Sequence, residues 1–179
     1  LAMLYTLRGE YEAAERIARQ AIALQEQIMS GSTGLIIVGA HSRLGYALYR
    51  RGQYDEAIRE YRRELDLLSV SDHLLRERTS IEIQQKLAAA YRRKGDLAAA
   101  EDHERYAIQA FTTRLAAGGD EPSTRYYMAA LYALRGDAAE AREHLERALK
   151  ALPAFTRWRV VRDPDFEPVK DNPLFRELF

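Results

Sequence analysis

At 179 residues the chain has the size of one domain, and its 47% hydrophobic and 30% charged residues match a folded soluble protein rather than a disordered chain. Lys and Arg (27) balance Asp and Glu (27), which argues against nucleic acid as a partner, because its footprint is usually a strongly basic face. Cysteine is absent, excluding disulfides and thiolate chemistry, and the longest apolar run, Leu35 to Val38 with Gly39 and Ala40, is far too short to cross a bilayer.

Apolar periodicity interrupted by weak helix formers predicts helices at about residues 1–8, 11–29, 34–51, 54–70, 72–94, 97–117, 122–135 and 138–151. Breaks fall at Ser30-Gly31-Ser32, at Ser69-Val70-Ser71-Asp72 and at Gly118-Gly119-Asp120-Glu121-Pro122. Asp72 and Asp120 are the expected N-caps after two of these breaks, with Pro122 in the first turn that follows. The chain opens at Leu1 already inside a helix, so a longer protein with further sequence upstream is expected. After Pro153 the character turns aromatic, basic and proline-punctuated. Asp163-Pro164 and Asn172-Pro173 read as helix starts, and Phe166, Val169, Phe175, Leu178 and Phe179 supply an apolar face.

The helices repeat. Glycines stand at Gly9, Gly52, Gly95 and Gly136, spaced by 43, 43 and 41 residues, a period that belongs to solenoids. Eight residues before each glycine come Leu1, Leu44, Leu87 and Met128; seven before, Ala2, Gly45, Ala88 and Ala129; four before, Tyr5, Leu48, Tyr91 and Tyr132. Five after come Ala14, Ala57, Ala100 and Ala141, and twelve after come Ala21, Glu64, Ala107 and Ala148, where Glu64 breaks the column. Each glycine ends one helix in a left-handed turn and a second helix folds back. The preceding cations Arg8, Arg51, Lys94 and Arg135 are expected to cap the first helix against its dipole. Small residues at two registers let the paired helices approach, and no pair can bury its seam without neighbours.

These columns resemble the tetratricopeptide repeat, whose apolar, small, aromatic, glycine, aromatic, alanine pattern stands here as Leu44, Gly45, Leu48, Gly52, Tyr54 and Ala57, with the closing proline at Pro153. The resemblance implies an all-α, right-handed α-solenoid of antiparallel helix pairs, with four repeats over 1–153, the first truncated, and a C-terminal capping segment over 154–179. The units exceed the usual period of about 34 residues, and look like the lengthened repeats of kinesin light chain and several bacterial signalling regulators. The tail likewise looks like the closing segment that follows such arrays in bacterial signalling proteins. A cytoplasmic protein-interaction scaffold is the implied role, the C-terminal part of a larger signalling or regulatory protein.

Catalytic groupings are missing from the sequence. His41, His73, His103 and His144 fall on four predicted helices with no metal-binding spacing, and His103 and His144 share the position eight residues after their glycines, which reads as scaffold. Gly31-Ser32-Thr33-Gly34 lacks the lysine of a phosphate loop and reads as a linker. No nucleophile, base and orienting group gather, so an enzyme is not expected in this chain, and no cofactor or metal is expected.

The concave surface remains, lined in this family by the first helix of each pair. Its inner offsets select Arg43, Tyr46, Tyr49 and Arg50, then Gln85, Lys86, Arg92 and Arg93, then Tyr126 and Tyr127, with Ser42, Ala89, Ala130, Ala133 and Leu134 among them. A basic, aromatic trough on a neutral protein predicts a protein or peptide partner with acidic and apolar character, with no nucleic acid and no membrane. The lysine and asparagine set that binds peptide carboxylates in the chaperone-binding members does not match, since Tyr46, Arg43 and Ala89 occupy its sites. Self-association, contact with the chain's own upstream domain, and a ligand-gated sensor controlling an upstream kinase, cyclase or DNA-binding domain are further readings that the sequence leaves open.

Overall fold

The computed structural model describes residues 1–30, 38–118 and 121–179. The expected linker Gly31-Ser32-Thr33-Gly34 and the expected cap Asp120 lie outside the described residues. The chain divides into two compact units, Leu1–Asp96 and Leu97–Phe179. The first holds α1 (Ala2–Arg8), α2 (Tyr11–Ser30), α3 (Ala40–Arg50), α4 (Tyr54–Ser69) and α5 (Arg76–Lys94); the second holds α6 (Leu97–Ala116), α7 (Pro122–Leu134), α8 (Ala138–Ala151), α9 (Pro153–Val160), a 3-10 turn (Pro164–Val169) and α10 (Pro173–Arg176). No strand occurs among the described residues, and consecutive helices pack as antiparallel repeat pairs within each unit: α1 on α2 and α3 on α4 in the first, α7 on α8 in the second.

The repeated glycines act through conformation, not space. Gly95 sits at φ 92° with its N–H on the Arg92 carbonyl, and Asp96 N–H reaches back to Tyr91, closing α5. A side chain there would meet nothing within 4 Å, so the left-handed backbone alone demands glycine. Arg8 and Lys94 stand in the last turns of α1 and α5, where a cation faces the negative end of the dipole, and two of the four preceding cations also reach a neighbouring helix. Arg51 crosses to Glu15 of α2 at 2.7 Å, and Lys94 crosses to Asp55 of α4 at 2.6 Å, so each ties its helix to the second helix of the repeat before.

Gly45 is different, because its role is close approach. A Cβ on it would lie 2.6 Å from the Tyr61 ring. Tyr61 is fully buried, and the helix pair has accommodated its ring by removing the methyl group that Ala2, Ala88 and Ala129 carry at the same position. In the fourth repeat the balance is the reverse, with Ala129 and the smaller Leu145 at the matching places.

Glu64, the residue that broke its alanine column, is 1% exposed, and its carboxylate accepts from the backbone N–H of Gly39 at 2.6 Å and of Ser42 at 3.1 Å. Helix α3 has no side-chain cap of its own, so the adjacent helix α4 supplies one across the pair. Two expected boundaries moved. The helix expected from about residue 34 starts at Ala40, after a turn at Val38 and Gly39. Helix α5 starts at Arg76, not Asp72, because Ser71 Oγ accepts from His73 N–H and His73 Nδ1 accepts from Leu75 N–H, holding the segment in local turns that compete with helix.

The tail is a short sequence motif used twice. Asp163-Pro164 and Asn172-Pro173 each start a turn whose capping oxygen accepts the N–H two residues on, Asp165 and Leu174 respectively. Phe166 and Phe175, in matching places after the prolines, are both buried and stack with centroids 5.7 Å apart. The 3-10 turn packs on α7, and α9 and α10 pack on α8, where Arg142 donates to the Leu174 carbonyl at 3.0 Å and pairs with Glu177 at 2.5 Å.

Two stability experiments follow from these contacts. Glu64→Ala restores the column yet is expected to lose about 2 kcal/mol, the scale of buried bonds to a charged acceptor, read by urea denaturation; unchanged stability would dismiss the cross-helix cap. Gly45→Ala gains about 1 kcal/mol of helix propensity but overpacks against Tyr61 at about 1–3 kcal/mol, so a net loss is expected, with much of it restored in the Gly45→Ala, Tyr61→Leu double variant.

Candidate functional site

The residues selected from the inner offsets fall into two places. On α3, Tyr46 and Tyr49 stack at 6.3 Å and Tyr49 meets Tyr54 of α4 at 5.8 Å. Arg50 is held between rings, its guanidinium 5.5 Å from the centroid of Tyr11 and 5.8 Å from that of Tyr46, donating to both hydroxyls at 3.2 and 3.4 Å. Tyr46 and Tyr49 are buried, Arg50 is half-buried, and Arg43 is exposed with Nη1 on the Val38 carbonyl at 3.2 Å. The last turn of α3 therefore presents one cation, Arg50, set on a wall of phenol rings, with Arg43 about two turns earlier. Tyr11, from α2, belongs to this wall and was missed by the inner-offset selection; its signal is the aromatic position two residues past the glycine that it shares with Tyr54.

On α5, Gln85 and Lys86 are buried, Arg92 is half-buried and Arg93 is exposed. Helices α3 and α5 are neighbours in the first unit, so Arg43, Arg50, Arg92 and Arg93 belong to adjacent helices there. Tyr126 and Tyr127 lie in the second unit, where the chain covers them itself. Arg159 of α9 stacks 3.8 Å above the Tyr126 ring and 5.0 Å from that of Tyr127, the Tyr126 hydroxyl donates to Asp163 at 2.7 Å, and Phe166 packs edge-on at 5.4 Å. Both rings are buried, at 3% and 7% exposed, so they meet the tail instead of solvent.

The histidines fill scaffold positions. His41 on α3 donates from Nδ1 to Glu60 on α4 at 2.7 Å; Arg125 on α7 donates to Nδ1 of His144 on α8 at 3.1 Å. Both pairs are separated by nineteen residues and occupy equivalent positions in their helix pairs, with the partners exchanged. Because arginine can only donate, His144 must present a bare Nδ1, and its ring lies flat on Tyr132 with centroids 5.6 Å apart. Burial pushes the Glu60 carboxyl up, but the hydrogen bond from His41 and the charges of Arg63, His41 and Arg19 outweigh it and hold the group below its ordinary value of 4.5. His41 and Glu60 border a cleft of about 680 Å³ between α2, α3 and α4, floored by Ile22, Leu44 and Leu67 and edged by Arg19 and Asp66.

Among the described residues, no three His, Asp or Glu side chains are placed to hold a metal ion, and no helix is long and apolar enough to cross a membrane. Three segments match family models described as tetratricopeptide repeat: residues 1–30, 38–68 and 122–147. No curated protein matches the chain.

A carboxylate whose folded value is depressed stabilises the fold above its ordinary value and loses that contribution as pH falls through the folded one. The wild-type chain is therefore expected to lose stability progressively as pH drops below about 4.5, and Glu60→Gln to be less stable at neutral pH with a flatter acid limb. Thermal melts across that range would check this; parallel curves for the two proteins would remove Glu60 from the account.

Proposed function

Because the chain belongs to the tetratricopeptide repeat family, a family of protein-interaction modules, we propose that it holds a partner segment along α3 and α5 of the first unit. The supporting observation is Arg50, whose guanidinium is stacked between Tyr11 and Tyr46. Stacking fixes a long side chain that would otherwise lose rotamer entropy on binding, and Arg and Tyr are the residues that most often carry interface energy. Arg43 and Arg93, both exposed, extend the positive character along the same two helices. A segment with carboxylates and apolar side chains fits that chemistry. Tyr126 and Tyr127, engaged by α9 and the 3-10 turn, contribute to docking of the chain's own tail in this reading, with residues 154–179 serving as the cap of the array. The tail's likeness to closing segments in bacterial signalling proteins supports a place at the C-terminal end of such a protein. The cleft beside His41 and Glu60 has the size of a small-molecule site, which favours a ligand-gated sensor as the second reading.

Affinity capture from the source cell's lysate, using wild-type chain beside the Arg43→Glu, Arg92→Glu variant, tests the first reading. Proteins retained by the wild type are expected to bind the variant at least about tenfold more weakly when measured individually, the loss of one strong interface residue. Identical retention would sink the α3–α5 surface.

A further inference from the structure

The outward arc of α9 departs from what a solvated helix face looks like. At about 100° per residue, Arg157, Val161, Trp158, Arg162 and Phe155 follow one another around that arc, Val161 and Arg162 in the turn just past the helix end and the small Ala154 among them, while Thr156 and Val160 turn inward and are buried. Phe155 is 50% exposed and Val161 68% exposed, and neither a carboxylate nor a small polar side chain stands among the five. Phe155 and Trp158 lie 6.2 Å apart, the Arg162 guanidinium stacks 5.0 Å from the Trp158 centroid, and Arg157 stacks 5.5 Å from that of Phe179. Rings and cations thus form a continuous ridge.

The charges of this ridge are unbalanced. Elsewhere in the second unit Arg105, Arg114, Arg142, Arg147 and Lys170 each have a carboxylate partner, while Arg135 and Arg176 stand singly among the described residues. Arg157, Arg162 and the nearby Lys150 form no ion pair among the described residues, and from Arg147 to Arg162 inclusive the sequence holds five cations, of which Arg147 and Arg159 have partners outside the stretch, and no Asp or Glu. Arg162 donates one Nη1 N–H to the Trp158 carbonyl at 3.0 Å, which fixes it over the ring, and a guanidinium carries five N–H donors, so others remain for a carboxylate.

We propose that this arc is a second docking surface, separate from the one on α3 and α5, and that it takes an acidic segment of a partner protein bearing an apolar anchor side chain. The rings and Val161 receive the anchor, and Arg157 and Arg162 receive the flanking carboxylates. A second copy meeting the same arc would set these arginines against themselves, which a two-fold interface cannot avoid. A bilayer is the weaker occupant, because an eight-residue helix spans only about 12 Å and offers a single short apolar strip, whereas stable membrane anchoring takes more than one such signal.

Trp158 is the only tryptophan in the chain, so its emission reports this surface and no other. The probe is a short synthetic peptide alternating Asp or Glu with Leu or Phe, titrated into the full chain beside a counterpart carrying Lys at every acidic position. A saturable blue shift with the acidic peptide alone is expected. Arg157→Glu with Arg162→Glu should weaken it at least tenfold, Arg157→Ala with Arg162→Ala should weaken it without charge reversal, and Arg43→Glu with Arg92→Glu should leave it intact. Circular dichroism of each variant separates lost binding from lost fold. The proposal is overturned by equal response to both peptides, by no saturable response, by folded arginine variants that bind like wild type, or by a shift produced only by vesicles of phosphatidylcholine and phosphatidylserine.

Discussion

Close approach between paired helices is the constraint on which the rest of this molecule depends. Ala57 and Ala141 are fully buried on the second helices of their pairs, Gly45 and Ala129 are buried on the first, and Gly45 lies directly against the Ala57 carbonyl, so a larger residue there would separate the backbones. Once the helices are this close, polar groups at the seam have no room for water and must find each other. Glu64 does so by capping α3 from α4, and His41 with Glu60 and Arg125 with His144 do so nineteen residues apart. Small side chains thus set the distance, and the buried polar pairs fix the register at that distance. Hydrophobic burial alone would tolerate some sliding of one helix on the other; hydrogen bonds with narrow geometry do not.

Much of this was legible in the sequence, since it follows from period. A glycine at a constant place, a small residue seven before it and an alanine five after it define a helix pair whatever surrounds them, and α4, α7 and α8 begin where the columns put them. Local capping chemistry was equally readable at Asp163 and Asn172. What could not be read was any contact between residues of different helices whose chemistry is ambiguous alone. Arg51 and Lys94 read as helix caps from the sequence, and nothing there indicates that the carboxylates of Glu15 and Asp55 also come beside them. Glu64 looks like an error in an alanine column until Gly39 arrives with an unsatisfied N–H. Tyr126 and Tyr127 were assigned to a trough by their offsets, and nothing in the offsets indicated that Arg159 and Phe166 would cover them.

The chemistry of the two units differs more than their shared architecture suggests. In the first, Arg50 of α3 stands on Tyr11 and Tyr46, and Arg62 of α4 lies over Tyr91 of α5, all contributed by the repeats themselves. In the second, equivalent inner positions are occupied by the chain's own tail, and the cations and rings that remain outward belong to α9. The same pairing of guanidinium and aromatic ring therefore recurs on helices of different origin, once on a repeat and once on the segment that follows the repeats.

The doubled turn at the end of the chain has a consequence for how the second unit assembles. Its defining contacts, from Asp163 to the backbone of Asp165, from Asn172 to that of Leu174, and between Phe166 and Phe175, all join residues near one another in sequence. Closing such short loops costs little chain entropy and is fast. These local contacts therefore add little loop-closure cost to that of docking the segment on α7 and α8, where Tyr126 and Arg142 hold it.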